Sequence, residues 1–155
     1  MHFEPAGFQQ TAGLVCYYNA GKFHYLFVSR DQEMGKHIRV WSCVPDQLQT
    51  DVFSAPVAIP DGAPVHLRVE VDFERLLFAY RIEGREWQRM PGALDASILS
   101  DEAAAPGTPN FTGAFVGVCC QDLAGTLQPA DFDTFVYRER AYRADPFTER
   151  LSTCD

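Results

Sequence analysis

Carboxylates are the first residues in this 155-residue chain to test for chemistry. Asp131 and Asp133 stand two apart in the run Ala130-Asp-Phe-Asp133, so on a strand they share one face. Asp101 and Glu102 are adjacent in a long polar stretch. A pair of carboxyl groups flanking a glycosidic bond can hydrolyse it, one as acid and the other as base or nucleophile. Acidic pairs at these spacings also arise simply as solvated or structural groups. Asp133 is in addition a candidate for a structural calcium beside loop carbonyls. Calcium takes about six to eight oxygens, and the other carboxylates of such a shell are not identifiable. That favours Asp133 as an acceptor of backbone hydrogen bonds near the loop at 122–125.

Other chemistries find less support. His24, His37 and His66 are scattered over separate strands, whereas a zinc site needs three or four ligands to converge. The chain has no GxSxG elbow, P-loop, HExxH or GxGxxG. Its five cysteines, Cys16, Cys43, Cys119, Cys120 and Cys154, include no CxxC pair. They read as reduced thiols of a cytoplasmic protein, with Cys16 and Cys43 as small core residues. Tyr17, Tyr25, Trp41 and Tyr80 could stack on sugar rings, but core packing is the better reading for most of them.

The elements that must position these residues are strands. Aromatics make up 13% of the chain, and 11 Gly and 10 Pro punctuate short apolar runs, as in a sandwich or barrel. Residues 12–18 and 22–30 form a hairpin around Asn19-Ala-Gly21, with Gly21 supplying positive φ. In 37–43, Ile38, Val40 and Ser42 oppose Arg39 and Trp41. In 65–73, Val65, Leu67, Val69, Val71 and Phe73 alternate with His66, Arg68, Glu70 and Asp72, which sets one face on a core. Residues 76–82 return across a turn at Glu74-Arg75. Two further strands are expected at 111–122 and 130–137. Gly113 and Gly117 mark places where a backbone or ligand could approach closely. A long loop covers 90–110, and a short helix is possible at 146–151. The fold class is therefore all-β, an antiparallel sandwich of the jelly-roll kind.

The net charge of −8 disfavours contact with phosphate backbones, and no basic cluster suits anionic lipid. No run of 18 apolar residues could span a membrane, and Met1-His-Phe-Glu-Pro5 does not resemble a signal peptide.

Five ordered motifs carry a family resemblance: Phe8-Gln-Gln-Thr-Ala-Gly-Leu-Val-Cys-Tyr-Tyr-Asn19, Asp31-Gln-Glu-Met-Gly-Lys36, Ile98-Leu-Ser-Asp-Glu102, Phe111-Thr-Gly-Ala-Phe-Val-Gly117 and Ala130-Asp-Phe-Asp133. Together they resemble the C-terminal, concanavalin A-like β-sandwich of family 43 β-xylosidases, from about Phe3 to Tyr137. The resemblance implies a domain over 1–140 and an extension over 141–155. It also implies a sandwich lacking one or more first edge strands, since the family pattern begins before the Phe3-Glu-Pro5 segment. Catalysis in that family belongs to a preceding five-bladed propeller with three carboxylates, which hydrolyses terminal xylose or arabinose. The sandwich packs on this propeller, and a loop Phe closes part of the substrate pocket; the matching position is Phe111. The expected role is thus a non-catalytic accessory domain without a cofactor, the alternative being a free-standing carbohydrate-binding module. An unpaired sheet edge would favour self-association into a homo-oligomer.

Overall fold

A computed structural model of the protein describes residues 1–44, 52–103 and 113–139. Ten strands and one 3₁₀ turn follow in the order β1 (Gln10–Asn19), β2 (Lys22–Asp31), β3 (Gly35–Cys43), β4 (Val52–Phe53), β5 (Val57–Ala58), β6 (Val65–Asp72), β7 (Arg75–Ile82), β8 (Gln88–Arg89), β9 (Leu94–Asp95), the turn Ala96–Leu99, and β10 (Phe115–Asp122). Every pairing is antiparallel. One sheet has six strands in the order β10-β1-β2-β3-β4, with β5 also on β3; the other has four, β6-β7-β8 with β9 also on β7.

Alternation assigns the faces. Ala12, Leu14, Cys16 and Tyr18 of β1 align with Val28, Leu26 and His24 of β2, and these in turn with Ile38, Val40 and Ser42 of β3. Val65 of β6 and Leu76, Phe78, Tyr80 and Ile82 of β7 close onto them from the second sheet. Each large apolar side chain removed from water here contributes about 1.5–3 kcal/mol. The sandwich of packed antiparallel sheets read from the sequence is the fold observed.

Several local expectations are corrected. The segment at 130–137 is not a strand: among the described residues only Asp131 pairs, in a bridge with His2 (N···O 2.8 and 2.9 Å). Alternation makes a strand only where a sheet edge is free to receive it, and Phe135, Val136 and Tyr137 stay exposed. The strand expected from Phe111 starts at Phe115. Gly113 serves a left-handed turn (φ 73°) rather than a close approach, and Gly117 has open space above it. The crowded glycine is Gly13, where a Cβ would lie 2.0 Å from the Leu26 carbonyl oxygen. Gly21 is not in the left-handed region; the Asn19 side chain instead accepts its N–H at 2.9 Å and holds the β1–β2 turn. Nor is 90–110 wholly loop. Leu94–Asp95 pairs with β7, and Asp95 caps the turn Ala96–Leu99, which buries Ile98 and Leu99. A single helical turn is too short to carry a periodic signal. Phe111 and the extension at 141–155, with its expected short helix, lie outside the described residues.

Candidate functional site

Both stems of the segment that carries Phe111 are fixed at one end of the sandwich. On the entry side, the Tyr18 hydroxyl donates to the Asp101 carboxylate, and the Lys22 ammonium donates to the Ser100 carbonyl at 2.8 Å. The same ammonium sits 4.2 Å from the centre of the Tyr18 ring, which offsets part of the cost of burying it. Below them, the His24 Nε2 meets the Asp95 carbonyl at 2.9 Å and its Nδ1 meets the Ser42 hydroxyl at 2.8 Å. Burial lowers the His24 pKa, so the neutral ring donates to the carbonyl and accepts from Ser42. On the exit side, Gly113 turns the chain into β10, whose Phe115 stands opposite Tyr17. Tyr17 and Tyr18 thus point to opposite faces of β1 and flank the two stems.

The outer face of the six-stranded sheet at this end is aromatic. Phe115, Tyr17 and Phe23 are cross-strand neighbours on β10, β1 and β2, and Trp41 and Phe53 continue the row on β3 and β4. Tyr17 stacks on Phe23, Phe23 meets the Trp41 ring edge-on, and Trp41 stacks on Phe53 with centroids 5.5 Å apart. Phe115, Tyr17 and Phe53 are 60%, 40% and 43% exposed. The Trp41 indole Nε1 is buried without a partner among the described residues. Of the four aromatics considered for stacking, Tyr17 and Trp41 belong to this row. Tyr25 is buried with its hydroxyl on the Cys119 carbonyl, and Tyr80 lies in the core.

A β-xylosidase C-terminal concanavalin A-like domain model matches residues 1–138. The chain belongs to this family. It is 35% identical over 140 residues to a β-xylosidase of Bacillus subtilis, covering 90% of this chain and 26% of the relative. It is likewise 35% identical over 149 residues to xylosidase/arabinosidase 43B of Humicola insolens, covering 94% and 28%. A solved xylan β-1,4-xylosidase from Bacillus halodurans superposes with a TM-score of 0.75 at 30% identity, covering 82% of this chain and 24% of that one. The chain therefore spans about a quarter of the length of the curated relatives it matches.

Within this family domain, the motif at 8–19 contains the whole of β1, and two of the others form a stem and a turn. Ile98-Leu-Ser-Asp-Glu102 forms the entry stem, while Asp31-Gln-Glu-Met-Gly-Lys36 makes the β2–β3 turn, where the Asp31 carboxylate accepts from the Glu33 and Met34 N–H groups. The histidines do not converge: His24 faces the core, His37 lies on the outer face of β3, and His66 pairs with Glu83 on the second sheet. No group of three or more His, Cys, Asp or Glu able to hold a metal occurs among the described residues. Asp131 and Asp133 are exposed beyond β10, and Asp101 and Glu102 sit at the entry stem, so the two pairs are not brought together by the stems. The carboxylate that organises the loop after β10 is Asp122. It accepts from the N–H groups of Ala124 and Gln128 (3.0 and 2.9 Å) and from the Thr126 hydroxyl (2.9 Å). These donors, led by Gln128, pull its pKa down to about 2. The signal for it was Asp122-Leu-Ala-Gly125, an Asp opening a Gly turn.

Proposed function

We propose that this chain is the non-catalytic β-sandwich of a xylosidase- or arabinosidase-type glycoside hydrolase, docking on a catalytic propeller and contributing Phe111 to the rim of its substrate pocket. One observation carries the reading: residues 1–138 match a domain that forms about a quarter of much longer β-xylosidases. The loop stems support it. They stand beside an exposed aromatic row, the kind of apolar patch that a partner covers. The free thiols Cys16, Cys119 and Cys120 fit a reducing, cytoplasmic setting.

The test is complementation. The catalytic propeller of a β-xylosidase relative, freed of its own sandwich, is mixed with this chain and assayed on 4-nitrophenyl xyloside. The chain alone is expected to release no nitrophenol, and the mixture should regain activity. Phe111→Ala should lower kcat/KM in the complex about ten- to a hundredfold, the loss expected when one large apolar contact disappears, with the melting temperature nearly unchanged. Unchanged kinetics with a large drop in melting temperature would make Phe111 a packing residue instead. Micromolar binding of xylobiose by the isolated chain would favour a free-standing carbohydrate-binding module.

A further inference from the structure

We propose that the cavity between the two sheets, where β3 faces β7, is a binding site for a simple phenol: one aromatic ring carrying one hydroxyl group.

The cavity forms because both sheets are interrupted on the same flank. In the first sheet, β4 and β5 both lie along β3, with Ser54, Ala55 and Pro56 between them. In the second, β8 and β9 both lie along β7, and Pro91, Gly92 and Ala93 pass between them outside the ladder. Pro91 has no N–H to give a neighbouring strand, and Gly92 turns the chain at φ 82°, a conformation that a side chain would strain. The two gaps together leave about 170 Å³ of empty space. Val40, Ser42, Phe78 and Met90 are buried and form its floor, while Ser54 and the exposed Pro91 and Gly92 stand at its mouth.

The polar side chains of this lining are two serines, and both have already given away their protons. Ser42 donates to the His24 Nδ1 at 2.8 Å. Ser54 donates to the Ala55 carbonyl at 3.2 Å and accepts the Val40 N–H at 2.9 Å. Each hydroxyl oxygen therefore keeps one lone pair and no donor. The neighbouring backbone is occupied too: the Val40 carbonyl accepts from the Ser54 N–H, and the Phe78 carbonyl from the Met90 N–H, both at 2.9 Å. Water is poorly served by such a wall. A cavity of this size holds several waters, and each asks for about two to four polar partners. An apolar ring is served well. A dry cavity of about 150 Å³ lined by aliphatic and aromatic side chains takes up benzene. Here the Phe78 ring and the Met90 thioether add contacts that favour an aromatic guest over an aliphatic one.

The serine lone pairs decide which aromatic guest fits best. An acceptor without a competing donor calls for a ligand that donates a single hydrogen bond. Ser42 is the acceptor, because its oxygen lies on the buried floor, where water does not compete for the ligand's hydroxyl. Carboxylates and phosphates are rejected, since among the described lining residues there is no cation and no free N–H to meet them. A sugar is rejected for a different reason: it carries more hydroxyl groups than this wall can satisfy, and each one left unpaired costs free energy. The site is thus separate in chemistry from any sugar subsite, and it does not depend on docking to a propeller.

Phenol titrated into the full chain should shift the methyl resonances of Val40, Met90 and Leu94 and saturate, with a dissociation constant on the order of 1 mM. The methyls of Leu127, which is 89% exposed and outside the lining, should stay in place. Xylose at the same concentrations should move none of these signals. Ser42→Ala removes the acceptor and should weaken phenol about tenfold while leaving benzene binding unchanged. Benzene thus reports whether the variant still folds around its cavity. Leu94→Trp, which fills the space from its half-buried side, should abolish binding of both rings and serves as the independent variant. Shifts that grow in proportion to phenol without saturating, a Ser42→Ala protein that binds phenol as tightly as the parent, a Leu94→Trp protein that still binds either ring, or xylose shifts at Val40, Met90 and Leu94 would each overturn the proposal.

Discussion

The two sheets differ most at β1 and β6, which lie one above the other. Strand β1 has a hydrogen-bonded neighbour on each side and a core beneath; among the described residues, β6 has a full neighbour on one side only. On β1 even a methyl group has no place at Gly13, whereas on β6 the last inward valine stands half in water. Where every side is occupied, neighbouring backbone dictates residue size. Where a side chain is half exposed, as at Val71, residue size is freer.

The sharpest way to break that contrast is a methyl group. Gly13→Ala places a Cβ 2.0 Å from the Leu26 oxygen and 2.7 Å from the Phe27 Cα, both backbone atoms of the central ladder. It should cost about 3 kcal/mol or more, because relief requires the strands to separate. Gly117→Ala, on the neighbouring strand β10, meets nothing within 4 Å and should stay within about 0.5 kcal/mol of wild type. Denaturant titration of the two variants checks this; a Gly13→Ala protein as stable as the parent would remove the basis of the comparison.

A smaller effect separates the core from the open flank. Leu26 is fully buried, and Leu26→Ala should cost about 2–5 kcal/mol through lost burial and a residual cavity. Val118→Ala, at a half-exposed position on β10, should cost less than about 1 kcal/mol. The unfolding midpoint should move while its slope holds for both.

These contrasts also show what could be read in advance. Strands β3, β6 and β7 were legible because their residues alternate, as a half-buried face requires, whereas β1 and β2, the latter buried on both faces, were legible from the turn between them. The same rule failed at 130–137, where alternation is present but, among the described residues, only Asp131 finds a partner edge. Nothing within a segment reports whether an edge is free. Gly13 was hidden inside an apolar run, because its constraint comes from a strand distant in sequence. The turn Ala96–Leu99 was too short to leave a pattern. For the candidate site, the motif Ile98-Leu-Ser-Asp-Glu102 was visible, but not that Tyr18 and Lys22 reach across to hold it.

Acid should test the inside of the first sheet next. His24 is buried against Ser42 and Asp95, and its pKa lies below the ordinary 6.5. The unfolded chain takes up a proton near 6.5 while the folded chain still resists it, so stability holds above that pH and declines as pH falls below it. His24→Gln should be less stable than the parent near neutral pH, by about 1–3 kcal/mol for the buried polar partners it disturbs, but should lack this part of the decline. Melting curves taken across the range would show the two proteins converging on acidification. A constant gap at every pH would mean that His24 does not titrate with unfolding.

The smallest effect belongs to the loop after β10, and it has the opposite ionic form. Asp122 is stabilised as a carboxylate by two backbone N–H groups and the Thr126 hydroxyl, which bring its pKa from the ordinary 3.8 to about 2. A lowered carboxyl pKa means the unfolded chain protonates first. Its stabilisation is therefore complete above 3.8 and is lost as pH falls from there toward about 2. Asp122→Asn should lower the melting temperature slightly at neutral pH, since the amide presents an N–H₂ where donors converge. The difference from the parent should shrink through that acid window, well below the range in which His24 acts. Asp133→Asn is the matched control on the exposed stretch beyond, outside any strand, and should leave the melting temperature unchanged throughout. If Asp133→Asn instead reproduced the acid behaviour and Asp122→Asn did not, the hydrogen-bonded carboxylate of this loop would be Asp133, as its place in the family motif first suggested.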